Sequence, residues 1–130
     1  MKLSMYWISR NRISELTTSL LSFITNASNN NNIEYIVMAD SDDTTTINGL
    51  KNIHHILKTL HNVDLKILIS DRYGYRKIYM YHNLIAENFT GDCMCTVNDD
   101  MFCISKDWDQ ELRSTIAPYQ NEPLLIFKRN

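Results

Sequence analysis

Proline and glycine are scarce in this chain, with two prolines and three glycines among 130 residues. With so few interruptions and no internal repeat, one compact domain is expected over residues 1–130, with no linker. Long apolar runs are missing too. Nothing approaches the roughly 20 residues of a membrane span, and the N-terminus, charged at Lys2, Arg10 and Arg12, lacks a signal-peptide core. Neither sign of charge dominates: the net charge is −2 and no long run of either sign occurs. Duplex nucleic acid and anionic membranes are therefore poor partners, and any phosphate has to be held locally. A soluble, cytoplasmic protein is expected. Cysteine is sparse and odd in number, three in all and without framework spacing, which suggests reduced thiols. A chain of this length buries roughly two-thirds of its unfolded surface and can fold without disulfides. Cys93 and Cys95 alternate along one strand face, but with Cys103 they find no fourth ligand at a finger-like spacing, so buried apolar thiols are expected, not a zinc site.

What the chain does have is a sustained alternation of two hydrophobic periods. Leu3 to Ser9 is a nearly continuous apolar run, as in a central strand covered on both faces. Ile13, Leu16, Leu20, Phe23 and Ile24 then recur at helical spacing. The polar tract Asn26 to Asn32 reads as a surface loop, and Ile33 to Ala39 as a second strand. Thr44, Thr45 and Thr46 offer N-cap hydroxyls for a helix traced by Ile47, Leu50, Ile53, Leu57 and Leu60. Leu65 to Ile69 is a third strand. Arg76 to Glu87 is expected to be helical with Ile78, Tyr81 and Ile85 on one face, and Gly91 precedes a fourth strand ending at Val97. A short helix around Trp108, Leu112 and Ile116 is expected, capped by Asp107 and stopped by Pro118, with Leu124 to Phe127 a last strand or tail. This order argues for an α/β fold with a parallel or mostly parallel sheet.

Acidic clusters follow two of the strands: Asp40-Ser41-Asp42-Asp43, and Asn98-Asp99-Asp100. In open α/β sheets the carboxyl ends of strands are where ligands bind. The two clusters can thus line one crevice with Ser9 and Arg10 from the first strand. Hard oxygen donors beside cations suit a divalent metal carrying a phosphorylated ligand. The same acids are also ordinary cap and turn formers. Arg72, Arg76 and Lys77 around Gly74 and Tyr75 put positive charge at a helix start, which is unfavourable to the helix dipole and asks for an anion. The four tyrosines at 73, 75, 79 and 81 could stack on a base or sugar, but their spacing is more often that of half-buried packing. His54, His55, His61 and His82 show no ligand spacing.

In that order the motifs resemble the family 2-like glycosyltransferases with the GT-A fold. The matching residues are Ser9-Arg10-Asn11-Arg12, Asp40-Ser41-Asp42-Asp43-Thr44, Gly74 with Arg76 and Lys77, Asn83 followed by Gly91-Asp92, the DXD-like Asn98-Asp99-Asp100, and Trp108-Asp109. The resemblance covers nearly the whole chain. It implies a Rossmann-like GT-A nucleotide-diphospho-sugar transferase fold, a three-layer α/β/α sandwich. It further implies a nucleotide-sugar donor, a UDP-sugar above all, and transfer to an unknown acceptor hydroxyl. Ser9, Arg10 and Asp40 would meet the nucleoside, Arg76 or Lys77 the diphosphate, and Asp99 the ribose or sugar, with Asp42 also in the nucleotide-sugar site. Asp100, with Asn98, would ligate Mn2+ or Mg2+. Asn98 stands where many relatives carry the motif's first acid, which implies weaker metal affinity. The resemblance also implies that an acceptor-binding half is largely missing here. That half usually supplies the catalytic base, which leaves Asp107, Asp109 and Glu111 as candidate acids.

Two other readings compete. One is a non-catalytic nucleotide-sugar-binding module of the same fold. The other is a phosphatase resembling the haloacid dehalogenases, since Asp40 to Thr44 fits a DxDxT pattern in which the first Asp accepts a phosphoryl group. That pattern normally follows the first strand of the core, whereas here a strand and a helix precede it.

Overall fold

A computed structural model describes residues 1–119 of the chain. Strand β1 (Leu3–Ser9), helix α1 (Ile13–Asn26), β2 (Ile33–Asp40), α2 (Thr44–His61), β3 (Leu65–Ser70), α3 (Ile78–Asn88), β4 (Cys93–Val97) and α4 (Trp108–Ile116) follow one another. The four strands form one sheet in the order β3-β2-β1-β4, and every pairing is parallel. The chain walks outward from β1 through β2 to β3, then returns to the far side of β1 for β4. Because crossovers keep one hand, reversing the direction of travel moves the connecting helix to the other face. Two cores result. Leu16, Leu20, Leu50 and Leu57 of α1 and α2 pack with Trp7, Tyr35, Trp108 and Ile116 on one side. Tyr81 and Ile85 of α3 pack with Tyr6, Ile36 and Met38 on the other. The fold is the expected three-layer α/β/α sandwich. Every residue of β1 except Ile8 is buried, as its unbroken apolar run requires of a strand covered on both faces.

Local details depart from the sequence reading in three places. The N-cap of α2 is Asp43, not a threonine. Its carboxylate accepts from the Thr46 N–H at 3.2 Å and the Thr46 hydroxyl at 2.6 Å, which makes Thr46 a donor inside the first turn. The helix expected from Arg76 begins as a 3-10 turn over Tyr75–Lys77, and α3 proper starts at Ile78. The cause is Gly74, whose φ of 76° and ψ of 178° belong to a region essentially reserved for glycine. Ile78 consequently sits at the open end of the helix and is 40% exposed, while Tyr81 and Ile85 point inward as expected. Asp107 does precede α4, but with φ 58° and no side-chain capping bond; its carbonyl, not its carboxylate, meets the first-turn amides. The expected strand at Leu124 to Phe127 lies outside the described residues.

Gly91 marks where β4 meets β1. A Cβ there would lie 2.4 Å from the Ser4 hydroxyl and 2.8 Å from the Lys2 carbonyl, so only glycine allows the approach. The three cysteines are half-buried thiols, and burial pushes that of Cys95 up to about 12. No described helix is long and apolar enough to cross a membrane.

Candidate functional site

The point where strand order reverses lies between β1 and β4, and in open parallel sheets the carboxyl edge at such a point is where ligands bind. β1 delivers Ser9 and Arg10 to this edge, β2 delivers Asp40, and β4 runs into Asn98-Asp99-Asp100. The Ser9 hydroxyl donates to Asp99 Oδ2 at 2.9 Å across the reversal point, and Arg12 Nε stands 3.4 Å from Asp99 Oδ1. The first and last expected motifs thus touch, although 90 residues separate Ser9 from Asp99.

The second acidic cluster is divided among three tasks. Asp40 is buried and uses both oxygens: Oδ1 accepts from the Tyr81 hydroxyl at 2.5 Å, and Oδ2 from Arg10 Nη1 at 3.0 Å. The Tyr81 oxygen in turn accepts from the Tyr73 and Gly74 amides at 3.0 and 3.2 Å, which ties the β3–α3 loop to the end of β2. Asp42 is exposed and holds the Arg10 guanidinium with both oxygens, at 2.5 and 3.2 Å. Those bonds, and the charge behind them, hold the Asp42 carboxyl below and the Arg10 guanidinium above their ordinary values. Asp43 faces inward and accepts from the Asn11 amide at 2.7 Å as well as from Thr46. Asn11 itself has φ 53°, which turns the chain from β1 into α1. With one oxygen of Asp40 on Tyr81 and the other on Arg10, the arrangement favours a supporting part for this carboxylate over attack on a phosphoryl group.

A cleft of about 240 Å3 opens between the ends of β1 and β2 and the start of α3. Ser9, Arg10, Asp40, Arg72, Gly74 and Tyr81 line it, with Ile8, Met38, Tyr75 and Ile78 supplying apolar surface. Of the basic loop, Arg72 reaches this cleft; Arg76 and Lys77, exposed on the 3-10 turn, are not among its walls. Arg72 enters no hydrogen bond or ion pair among the described residues, whereas Arg10 and Arg12 are already matched by carboxylates. Tyr81 was hidden from sequence reasoning, because its helical spacing is that of a packing residue, and only the fold shows its hydroxyl aimed at Asp40.

Asn98 and Asp100 are exposed beside Asp99 and enter no side-chain hydrogen bond or ion pair among the described residues. No group of three or more His, Cys, Asp or Glu side chains gathers as a metal cluster among those residues. Asp109 is corrected from candidate base to anchor. It is wholly buried and accepts from the Ser28 amide and hydroxyl at 2.8 and 2.7 Å, the Asn29 amide at 3.2 Å and Arg113 at 3.1 Å. Both oxygens are engaged and neither is exposed to a substrate. Asp107 lies against the end of α1, its amide donating to the Asn26 carbonyl.

Four carboxylates share one electrostatic pattern. Burial alone would raise Asp43, Glu34 and Asp109, but bonds from Thr46 and Asn11, from Thr90 and Ser4, and from Ser28 and Asn29 outweigh it and hold all three below the usual carboxylate range. Asp42 is lowered by Arg10. A carboxyl depressed in the folded state contributes stability that is complete above its unfolded value of about 4 and is lost as pH falls through the folded value. Thermal unfolding followed from pH 7 downward is expected to give a nearly constant midpoint to about pH 5 and a fall below pH 4. A midpoint that rises toward pH 3 would contradict these bonds.

No family model matches the chain, and no curated protein matches it. Solved structures do. A structure of S. aureus TarS 1-349 superposes with a TM-score of 0.72 at 18% identity, covering 92% of this chain and 33% of that one. A second, in complex with UDP, gives the same TM-score, identity and coverage. A third, in complex with UDP-GlcNAc, gives a TM-score of 0.60 at 19% identity, covering 92% and 32%. The chain thus spans about a third of these TarS chains. At this identity the likeness shows the fold, the GT-A-like α/β arrangement expected above.

Proposed function

We propose that this chain is the nucleotide-sugar-binding part of a glycosyltransferase, taking a UDP-sugar and passing the sugar to an acceptor hydroxyl. The observation that carries this reading is the cleft at the carboxyl ends of β1 and β2, where a wall braced by Asp40 faces the unmatched cation Arg72 and where Ser9, on the same wall, is bonded to Asp99 after β4. The complexes of S. aureus TarS with UDP and UDP-GlcNAc support it by analogy of fold. The apolar surface of Ile8 and Met38 suits one face of a base, with Arg10 held beside it by its two carboxylates. Arg72 is placed to accept the negative charge of a diphosphate, taking over the part expected of Arg76 or Lys77. Asp99, oriented by Ser9 and Arg12, offers oxygen to a ribose or sugar hydroxyl.

Asp100 and Asn98 fit a Mn2+ or Mg2+ ion of the sparsely ligated kind, in which one or two carboxylates share the ion with phosphate oxygens and water. When bound, such an ion neutralises the charge that builds on the departing diphosphate.

A thermal-shift panel of nucleoside diphosphates and their sugars, with and without manganese, tests the reading. A ligand present at a hundred times its Kd adds about 2.7 kcal/mol to the folded state, a shift of several degrees. If no nucleoside diphosphate or nucleotide sugar raises the midpoint under either condition, the proposal fails. Slow metal-dependent release of UDP from a UDP-sugar separates an enzyme from a binding module. Asp100→Ala is expected to remove the manganese-dependent part of UDP affinity, about tenfold or more, and to leave the ligand-free midpoint unchanged because the side chain is exposed. Calorimetry reads this directly, and equal affinity in the variant sinks the metal assignment.

A further inference from the structure

The thiols take no part in the site just described, and two of them form a cluster of their own. Cys93 and Cys95 occupy alternate positions of β4 on the face that packs against the core of α1 and α2. Their sulfurs stand 3.9 Å apart. In the parallel register Met5 of β1 pairs with Cys95, and Met5 belongs to that same core, so its thioether side chain projects beside Cys95 on one face of the sheet. Three sulfur-bearing side chains therefore share one face of the sheet at the junction of β1 and β4. Cys103 is held apart: its amide donates to the Ser22 hydroxyl and its thiol to the carbonyl of Ser105.

A disulfide suits this pair poorly, because alternate residues of a strand are roughly 6.6 Å apart along the chain, near the outer limit of about 6.8 Å for disulfide Cα atoms. A bridging ion suits it well. Sulfurs 3.9 Å apart, each about 2.3 Å from a metal, subtend roughly 115° at it, between the tetrahedral and trigonal angles. The donors are two thiols and a thioether, a set that selects a soft monovalent ion over hard divalent ones. A tetrahedral zinc site would need further His, Cys or carboxylate ligands, and no such group gathers among the described residues.

We propose that Cys93 and Cys95, with Met5 as third donor, bind a cuprous ion. Binding forms two copper–thiolate bonds in place of two S–H bonds, and the Met5 thioether donates a lone pair to make a third Cu–S bond; both protons leave to solvent, and no electron is transferred. Because β4 continues from Cys95 through Val97 into Asn98-Asp99-Asp100, a loaded ion braces the strand that carries those acids. The site does not depend on the nucleotide-sugar reading.

The test is an anaerobic titration of the full chain with Cu(I) against bicinchoninate as a coloured competitor. One equivalent is expected to be withdrawn from the competitor, and Cys93→Ser and Cys95→Ser each to lose it. Cys103→Ser should retain it, and Met5→Leu should weaken it about tenfold, the scale of losing a supporting partner. X-ray absorption of the loaded wild-type chain, which needs no variant to fold, should show sulfur neighbours alone. The proposal is overturned if the chain withdraws no Cu(I), if either Cys93→Ser or Cys95→Ser binds as the wild type does, if Cys103→Ser abolishes binding, or if nitrogen or oxygen donors dominate the shell.

Discussion

Asp109→Ala is expected to destabilise the chain by about 3–5 kcal/mol, the scale of removing one partner from a buried ion pair. Asp109 is fully buried, and Arg113, its partner one helical turn on, is 13% exposed. The loss propagates, because Arg113 also donates to the Met1 carbonyl at 2.9 Å and the Asn32 carbonyl at 3.0 Å. Asp109 thereby ties α4 to the start of β1 and to the loop between α1 and β2. Without it, the Ser28 and Asn29 amides lose their acceptor and a guanidinium is left facing no charge. Chemical denaturation measures the effect, and a change below about 1 kcal/mol, the worth of an exposed pair, would show that the anchor is not needed. UDP affinity per folded molecule should be unchanged, which separates this residue from the cleft.

Asp40→Ala is expected to do the opposite: a moderate loss of stability with loss of nucleotide binding. The Tyr81 hydroxyl keeps two amide donors but loses its only acceptor among the described residues, at a cost of about 1–3 kcal/mol. Arg10 keeps Asp42 but loses its buried partner, so the side chains on two walls of the cleft are no longer held. Calorimetry with UDP should show affinity falling by about a hundredfold, roughly 2.7 kcal/mol. Tyr81→Phe is the companion variant. It removes the hydroxyl, keeps the ring against Tyr73 and Ile85, and should reproduce part of the binding loss. If Asp40→Ala binds UDP as the wild type does, the cleft is not the nucleotide site.

How far the sequence carried depends on the range of the interaction concerned. The strand at Leu3–Ser9 was legible in full, because a central parallel strand is apolar at almost every position. The helix starts were less legible. Three threonines obscured the Asp43 cap of α2, since hydroxyls and carboxylates at adjacent positions offer the backbone similar bonds. Gly74 displaced the start of α3 by two residues from the expected Arg76, through a backbone conformation that composition does not reveal. In the site, Ser9, Arg10, Asp40 and Asp99 were legible as a group, because strand ends collect at one edge of a parallel sheet. Which basic residue of the 72–77 loop faces the cleft was not, and neither was the difference between Asp109 as an anchor and Asp109 as a base.

By itself the sequence determined the kind and order of the elements, the parallel α/β class and the edge of the sheet where the polar clusters gather. These follow from hydrophobic period and turn chemistry, which act over a few residues. Only the tertiary structure decided what each polar side chain does there: Asp40 braces Tyr81, Asp43 caps α2, Arg72 faces the cleft and Asp109 is sealed under α4. The reason is distance. A carboxylate's partners are chosen across strands 30 to 90 residues apart, and its identity in the sequence is the same whichever partner it finds.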